Sequence, residues 1–266
     1  MRALKDMVLW GFVYLWSPCR NAVRSLFGRS HAVIINYHRV NDAHRDTVSV
    51  GEEQFRRQMR ILKRRCRVQD MHSFLEARGE KRRRTVALVT FDDGYDDNYE
   101  AAKHLREVGL PCTFFVTTRK VGTEEGFAHD LKKLGRAVPT LSWDRVREMR
   151  KWGFGIGNHT ATHPRLSTLD TDEALGEIAS GMEDLRREVG ANCGERWFAY
   201  PHGRPEDISD EVRRRLPEIG VECCFSAYGG TCPPDFDRFD IRRQGVHHAF
   251  SDLYFKALVE GWRVRS

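Results

Sequence analysis

An α/β barrel is the fold class this sequence predicts, and three observations predict it. From residue 31 onward, short apolar β-rich runs alternate with helical segments, the pattern of a mostly parallel sheet with crossover helices. Seven such runs are present, which favours a barrel over an open sheet. A length of 266 residues suits one large domain, and 40% hydrophobic with 31% charged residues fits a packed core rather than a disordered chain.

Residues 1–30 stand apart. Met7 to Trp16 is apolar except for Gly11, a run of ten where spanning a bilayer takes ~20. Ser17-Pro18-Cys19-Arg20-Asn21 lacks an A-x-A-like cleavage site, and Arg20, Arg24 and Arg29 follow closely, which disfavours a secretory signal. The segment is expected to form an amphipathic helix. It either anchors at a membrane surface, with Trp10, Phe12, Trp16, Leu26 and Phe27 in the headgroup boundary and the arginines on anionic lipid, or docks on the domain formed by residues 31–266. Seven cysteines without C-x-x-C spacing argue against a disulfide framework or a zinc-thiolate cluster and point to a reducing compartment. The expected location is cytoplasmic, peripheral at the inner face of the cell membrane, rather than secreted.

Within 31–266 the expected strands are Ala32–His38, Val86–Phe91, Cys112–Thr117, Gly155–Gly157, Trp197–Tyr200, Glu222–Ser226 and Phe239–Arg242. Helical spacing of apolar residues predicts helices over Glu52–Arg65, Asn98–Val108, Ser142–Lys151, Thr171–Val189 and Asp207–Ile219. Ser142 and Thr171 read as N-caps without complete capping boxes, since Arg145 and Ala174 occupy the N3 positions. Gly109 and Gly153 mark helix C-termini, and Gly229–Asp237 reads as a surface loop. Cys223 and Cys224, adjacent in a strand, are expected to face opposite ways and pack as small apolar groups.

A net charge of +6 and a pI near 9.0 suit an acidic partner such as anionic lipid, a phosphate-bearing carrier or nucleic acid. The runs Lys63-Arg64-Arg65 and Lys81-Arg82-Arg83-Arg84 lack interleaved aromatics, so they read as solvated faces and nucleic acid is not an expected partner.

The strand Val86–Phe91 runs directly into Asp92-Asp93-Gly94. Carboxylates at the C-terminal end of a parallel strand sit where α/β proteins bind ligands, and two adjacent ones need a cation or a proton between them. Asp96 and Asp97 suit helix capping better. A second strand runs into His159-Thr160-Ala161-Thr162-His163-Pro164. Histidines at i and i+4 can face one cation where the backbone turns helically, and imidazoles with carboxylate suit zinc, cobalt, nickel or iron.

TFDDG and H-T-x-x-H-P, in that order and ~65 residues apart, closely resemble the first two motifs of the polysaccharide deacetylases of carbohydrate esterase family four, the NodB-homology group. The resemblance covers roughly residues 31–250 and implies a distorted (β/α)7 barrel related to the TIM barrel. It implies Asp92 as general base and Asp93, His159 and His163 as metal ligands, with coordination positions left for water and an acyl oxygen. Zinc is the first expectation, with cobalt or nickel permitted. Phe198–Gly203 resembles the third motif in its Y-P-x-G form, implying that the backbone N–H of His202 serves an oxyanion. Ala199 stands where most members carry an arginine that orients the catalytic aspartate. Arg243 either substitutes for it or is an edge-strand surface residue.

Typical members supply the general acid histidine late in the chain. Here Asn36-Tyr37-His38-Arg39-Val40 resembles a permuted branch that includes the poly-N-acetylglucosamine deacetylases of exopolysaccharide, which implies His38 as the acid. His247 and His248 are the competitors. A nearby carboxylate is expected to keep His38 protonated enough for that role. The implied function is metal-dependent removal of N-acetyl groups from an amino-sugar polysaccharide or lipid-linked glycan precursor. The alternatives are a deformylase or amidase acting on a non-polymeric substrate, and an inactive sugar-binding barrel, against which the intact Asp92, Asp93, His159 and His163 weigh.

Overall fold

The computed structural model describes residues 2–262, so the first residue and the last four of the expected segments 1–30 and 31–266 lie outside it. The helices are α1 (Arg2–Gly11), α2 (Ser17–Leu26), α3 (Glu52–Arg65), α4 (Met71–Glu76), α5 (Asn98–Val108), α6 (Ala128–Leu134), α7 (Trp143–Lys151), α8 (Thr171–Glu188), α9 (Asp210–Arg215) and α10 (Asp252–Val259). The strands are β1 (Ala32–Tyr37), β2 (Arg39–Val40), β3 (Ser49–Val50), β4 (Arg67–Val68), β5 (Val86–Phe91), β6 (Thr113–Val116), β7 (Gly155–Asn158), β8 (Trp197–Ala199), β9 (Cys223–Phe225) and β10 (Arg243–Gly245).

Seven parallel strands run in the order β10-β1-β5-β6-β7-β8-β9. Ile241 bridges Phe225 of β9 two residues before β10 pairs with β1, so the stretch 241–245 spans both edges and nearly closes a barrel. This is the expected seven-stranded α/β barrel. The small β4 pairs with the lower half of β5, and β2 with β3 forms a separate ribbon.

Side-chain alternation decides what enters the barrel. On β1, Val33, Ile35 and Tyr37 pack outward with Phe55, Met59 and Leu62 of α3, whereas Ala32 and Ile34 join the other cluster. On β5, Ala87, Val89 and Phe91 pack outward, and Val86 and Leu88 inward. Each buried Val, Leu, Ile or Phe contributes about 1.5–3 kcal/mol, so a register slip is strongly disfavoured. The stacked rings Tyr37–Phe91 (5.3 Å) and Phe91–Phe114 (4.9 Å) lock the upper ends of β1, β5 and β6 together. The inward register continues through buried Asn36 and Thr90 to His38 and Asp92, just beyond the strand ends. Cys223 and Cys224 fall in different clusters, as adjacent strand residues should.

Several local expectations are corrected. The N-cap of α8 is Asp170, one residue before Thr171, and with Glu173 it makes a complete capping box. Ser142 does cap α7, and Gly109 ends α5 in the left-handed region at φ 67°. Asp97 occupies the N-cap position of α5 without capping it, because its carboxylate accepts from Asn41 and Asn98 instead. Asp96 pairs with Arg145. The helix expected over Asp207–Ile219 is confined to Asp210–Arg215, since Pro217 has no N–H with which to continue the helical hydrogen bonds. The last strand lies at Arg243–Gly245 rather than Phe239–Arg242, because Arg243, Gln244 and Gly245 give no apolar signal.

The first helical stretch runs from Arg2 to Leu26 with a π turn at Phe12–Trp16. Pro18 lacks an N–H and crowds the preceding turn, and the wider π turn relieves that conflict. Leu9 and Val13 are buried against Ala257, with Phe12, Leu253, Tyr254 and Trp262 around them. Among the described residues no helix is long and apolar enough to cross a membrane.

Replacing Asp170 by Ala removes the acceptor for the Glu173 N–H, and urea unfolding should register a loss of about 1 kcal/mol.

Candidate active site and metal centre

Asp92 and Asp93 are both buried, at 2% exposure each, and their side chains part company. Asp92 keeps the inward direction of Leu88 and Thr90. Asp93 takes a positive φ of 73°, a costly conformation for a residue with a Cβ, which swings its carboxylate toward β7. Of five non-glycine residues with positive φ among those described, Asp93, Thr160, His163 and His202 belong to this site and only Asn192 does not.

The inward carboxylate is paired. Asp92 Oδ1 accepts from Arg243 Nη1 at 2.6 Å and Oδ2 from Nη2 at 2.7 Å, and Asn36 Nδ2 donates to Oδ2 at 2.9 Å. Arg243 is fully buried, so it is not a surface residue. Its Nε donates to the Ser226 carbonyl at 3.0 Å and its guanidinium lies over Phe115 at 5.4 Å. Burial would raise the Asp92 pKa, but the Arg243 charge beside it reverses that and holds the carboxyl below its ordinary value. Arg243 thus occupies the partner position that Ala199 leaves empty.

The other carboxylate is orphaned. Asp93 Oδ1 is buried with no hydrogen-bond partner, yet lies 3.3 Å from His159 Nε2 and 3.2 Å from His163 Nε2. One ligand atom from each of the three residues lies within 4.8 Å of the others. Bonds of about 2.0–2.1 Å in a tetrahedron give edges of roughly 3.3 Å, so a divalent metal fits where these lone pairs converge. The second nitrogen of His159, Nδ1, sits 2.8 Å from the Ala199 carbonyl, which turns Nε2 toward Asp93. Burial works against ionising Asp93, but contact with His159 and His163 outweighs it and holds the carboxyl well below its usual range.

The histidine loop is held from behind by α8. Asn158 Nδ2 donates to the Ile178 carbonyl at 2.8 Å, its Oδ1 accepts from Thr160 N at 2.9 Å, and Ala161 N donates to the Glu177 carbonyl at 3.2 Å. A Cβ on Gly181 would stand 2.2 Å from Asn158 Oδ1, so only glycine lets the helix approach this closely.

These groups open into a cavity of about 1360 Å³, whose wall also includes His38, His129, His202, His247 and His248. His38 is partly buried and its backbone carbonyl is held by Asn98. Removal of its ring from water lowers its pKa more than Asp93 and Asp92 raise it, whereas the expectation is that a nearby carboxylate keeps it protonated enough to serve as acid. His202 sits at φ 62° in a turn closed by Gly203 N to the Pro201 carbonyl at 2.7 Å. His248 Nδ1 contacts the Asp46 carbonyl at 2.7 Å, and the His247 ring lies on Phe250 at 4.7 Å. The expected site residues therefore share one cavity. No motif announces His129, which only the fold brings there. Its Nε2 meets Tyr95 Oη at 2.9 Å, and Tyr95 Oη donates to buried Asp130 at 2.7 Å. Asp130 also accepts from fully buried Arg39 at 3.1 Å, tying the Y-H-R-V segment to α6.

A polysaccharide deacetylase family model matches residues 78–224, more than half the chain. The chain belongs to that family. The matched span includes Asp92, Asp93, His159, His163 and the Tyr200–Gly203 turn, whereas His38 and Arg243 lie outside it. YxkH of Bacillus subtilis (strain 168), a protein named as a polysaccharide deacetylase, is 24% identical over 192 residues, covering 72% of this chain and 62% of that one. The chain spans less than two thirds of the length of the curated relatives it matches. Among solved structures, IcaB from Ammonifex degensii superposes with a TM-score of 0.73 at 22% identity, covering 87% of this chain and 97% of that one. The Streptococcus pyogenes deacetylase PplD, in complex with acetate, gives 0.70 at 19%, covering 85% and 96%. At these identities the likeness establishes the barrel fold.

Metal binding should depend on pH through His159. Burial lowers its pKa, but the Asp92 and Asp93 charges outweigh burial and the net shift is upward. Protons then compete for the ligand nitrogen, so titration calorimetry should find affinity falling about tenfold per unit as pH drops below that raised value. In metal-free protein the sign reverses. The raised pKa stabilises the fold below the unfolded value of ~6.5, and that contribution is lost as pH climbs through the folded one.

Proposed function

We propose that the protein is a metal-dependent hydrolase that removes N-acetyl groups from an amino-sugar polysaccharide or a lipid-linked glycan precursor. The observation carrying this reading is the division of labour between adjacent carboxylates: Asp92 is bound to an arginine, and Asp93 is orphaned between two histidines. Family membership supports the reaction class.

In this reading Asp93, His159 and His163 hold the metal, with zinc suited to the ligand set and cobalt or nickel permitted. When bound, it supplies Lewis acidity toward an acyl oxygen and lowers the pKa of water. Asp92 is the general base. It stays ionised because Arg243 and Asn36 stabilise its charge, and the same contacts fix its direction. The His202 N–H, presented by its left-handed turn, faces the developing oxyanion. His38 hands a proton to the departing amine, and His247 and His248 on the same cavity wall are its competitors for that role. Burial favours the neutral imidazole at rest, and the proton that Asp92 removes from water balances the one that the amine gains from His38.

Acetate release from N-acetylglucosamine oligomers, with and without chelator, tests the proposal. Release should stop on chelation and return with zinc, cobalt or nickel. Asp92→Asn should lose roughly 10²–10⁴-fold in kcat while still binding metal, and Asp93→Ala should lose both. His38→Ala should be crippled and His248→Ala near normal, and the opposite pattern would reassign the acid. A folded, metal-loaded protein that frees formate from N-formyl sugars, or ammonia from small amides, but no acetate would replace the substrate class.

A further inference from the structure

The first helix is apolar on two opposite sides. Leu9 and Val13 face α10, whereas Leu4, Met7, Val8 and Leu15 are exposed. Those positions, with Gly11, recur at three- and four-residue spacing, and beyond the π turn Cys19, Val23, Leu26 and Phe27 continue the stripe. Ten of the eleven large hydrophobic side chains exposed among the described residues lie between Leu4 and Phe27, and Leu131 is the other. One stripe suffices to dock a helix on its domain. The second is contiguous and without an apolar partner among the described residues.

Charge gathers at the same place. The run Lys81–Arg84 folds onto the end of this helix: Ser25 Oγ donates to the Arg83 carbonyl at 2.5 Å, Arg82 N to the Gly28 carbonyl at 2.8 Å, and Ser30 N to the Arg82 carbonyl at 3.0 Å. Arg29, Lys81, Arg83 and Arg84 are exposed there, beside exposed Leu26 and Phe27. Of 44 Lys and Arg and 38 Asp and Glu in the chain, residues 4–30 and 78–84 hold nine and two, so the rest is within one charge of neutral. The excess positive charge therefore resides in two segments that pack together around an apolar stripe.

We propose that this composite face docks on an anionic lipid bilayer, with the stripe in the headgroup boundary and Arg24, Arg29, Lys81, Arg83 and Arg84 on lipid phosphates. Charge complementarity selects this occupant over a second copy of the chain, since the face carries the positive excess and the rest of the chain, near neutral in sum, offers no net opposing charge. Arg29 and Arg82 bridge at the base of the barrel, while Lys5 and Asp6 reach the rim of the catalytic cavity. A helix of this length covers about 37 Å, so the bilayer lies along the barrel and reaches the cavity mouth. Taken with the deacetylase reading, on which this last step rests, the substrate class is a glycan held at the membrane surface.

Flotation of the full chain on phosphatidylcholine vesicles, with and without about a third phosphatidylglycerol, tests the docking. The chain should float with the anionic vesicles and much less with the neutral ones. Arg83→Glu with Arg84→Glu should weaken binding on the order of tenfold or more, and Leu15→Asp with Leu26→Asp should abolish it. All four positions are exposed, so circular dichroism should be unchanged. Absence of flotation, equal flotation of the Leu15→Asp, Leu26→Asp variant, or a stable dimer in sedimentation that this variant dissolves would overturn the docking. The variant should match the parent on soluble N-acetylglucosamine oligomers. Loss of acetate release in the parent, with flotation intact, would fail the deacetylase reading and leave the docking standing.

Discussion

The site depends on keeping two adjacent carboxylates from sharing one partner. Side by side and buried, Asp92 and Asp93 would raise each other's pKa and one would take up a proton. A left-handed residue at Asp93 sends the side chains in different directions, and each meets different chemistry: a guanidinium for one, two imidazoles for the other. The Asp92–Arg243 pair is bidentate and dry. Removing one member of such a pair typically costs about 3–5 kcal/mol, so the arrangement is enforced by the fold.

Everything around this divergence follows from strand register. Period-two alternation brings Asn36 and Thr90 inward beneath Asp92, and the same phase on the closing strand brings Ile241 and then Arg243 inward. The arginine that orients Asp92 therefore comes from the start of the chain's last strand rather than from position 199. Ala199 contributes its carbonyl to His159 instead. Small residues matter for the same reason: a Cβ at Gly157 would stand 2.4 Å from Phe115, and Gly181 admits the histidine loop against α8.

Much of this was legible in the sequence where residue type and spacing coincide with function. Six of the seven barrel strands read from their apolar composition, and the pairs Asp92-Asp93 and His159…His163 stood out because packing does not call for them. The seventh strand was misplaced because a strand whose inward residue is Arg243 resembles a loop. The capping role of Asp96 and Asp97 failed because both carboxylates meet side-chain partners distant in sequence, Asn41 and Arg145. His129 and its link through Tyr95 and Asp130 to Arg39 had no sequence signal, since only tertiary contact assembles it. The neutral tendency of His38 was likewise invisible, because it reflects removal from water rather than the charge of its neighbours.

The most direct test of the divided carboxylates is anomalous diffraction from crystals grown with zinc. The account predicts one ion bound by Asp93, His159 and His163 at about 2.0–2.2 Å, with Asp92 still clasped by Arg243 and off the metal. An ion bridging both aspartates, with Arg243 released, would contradict it.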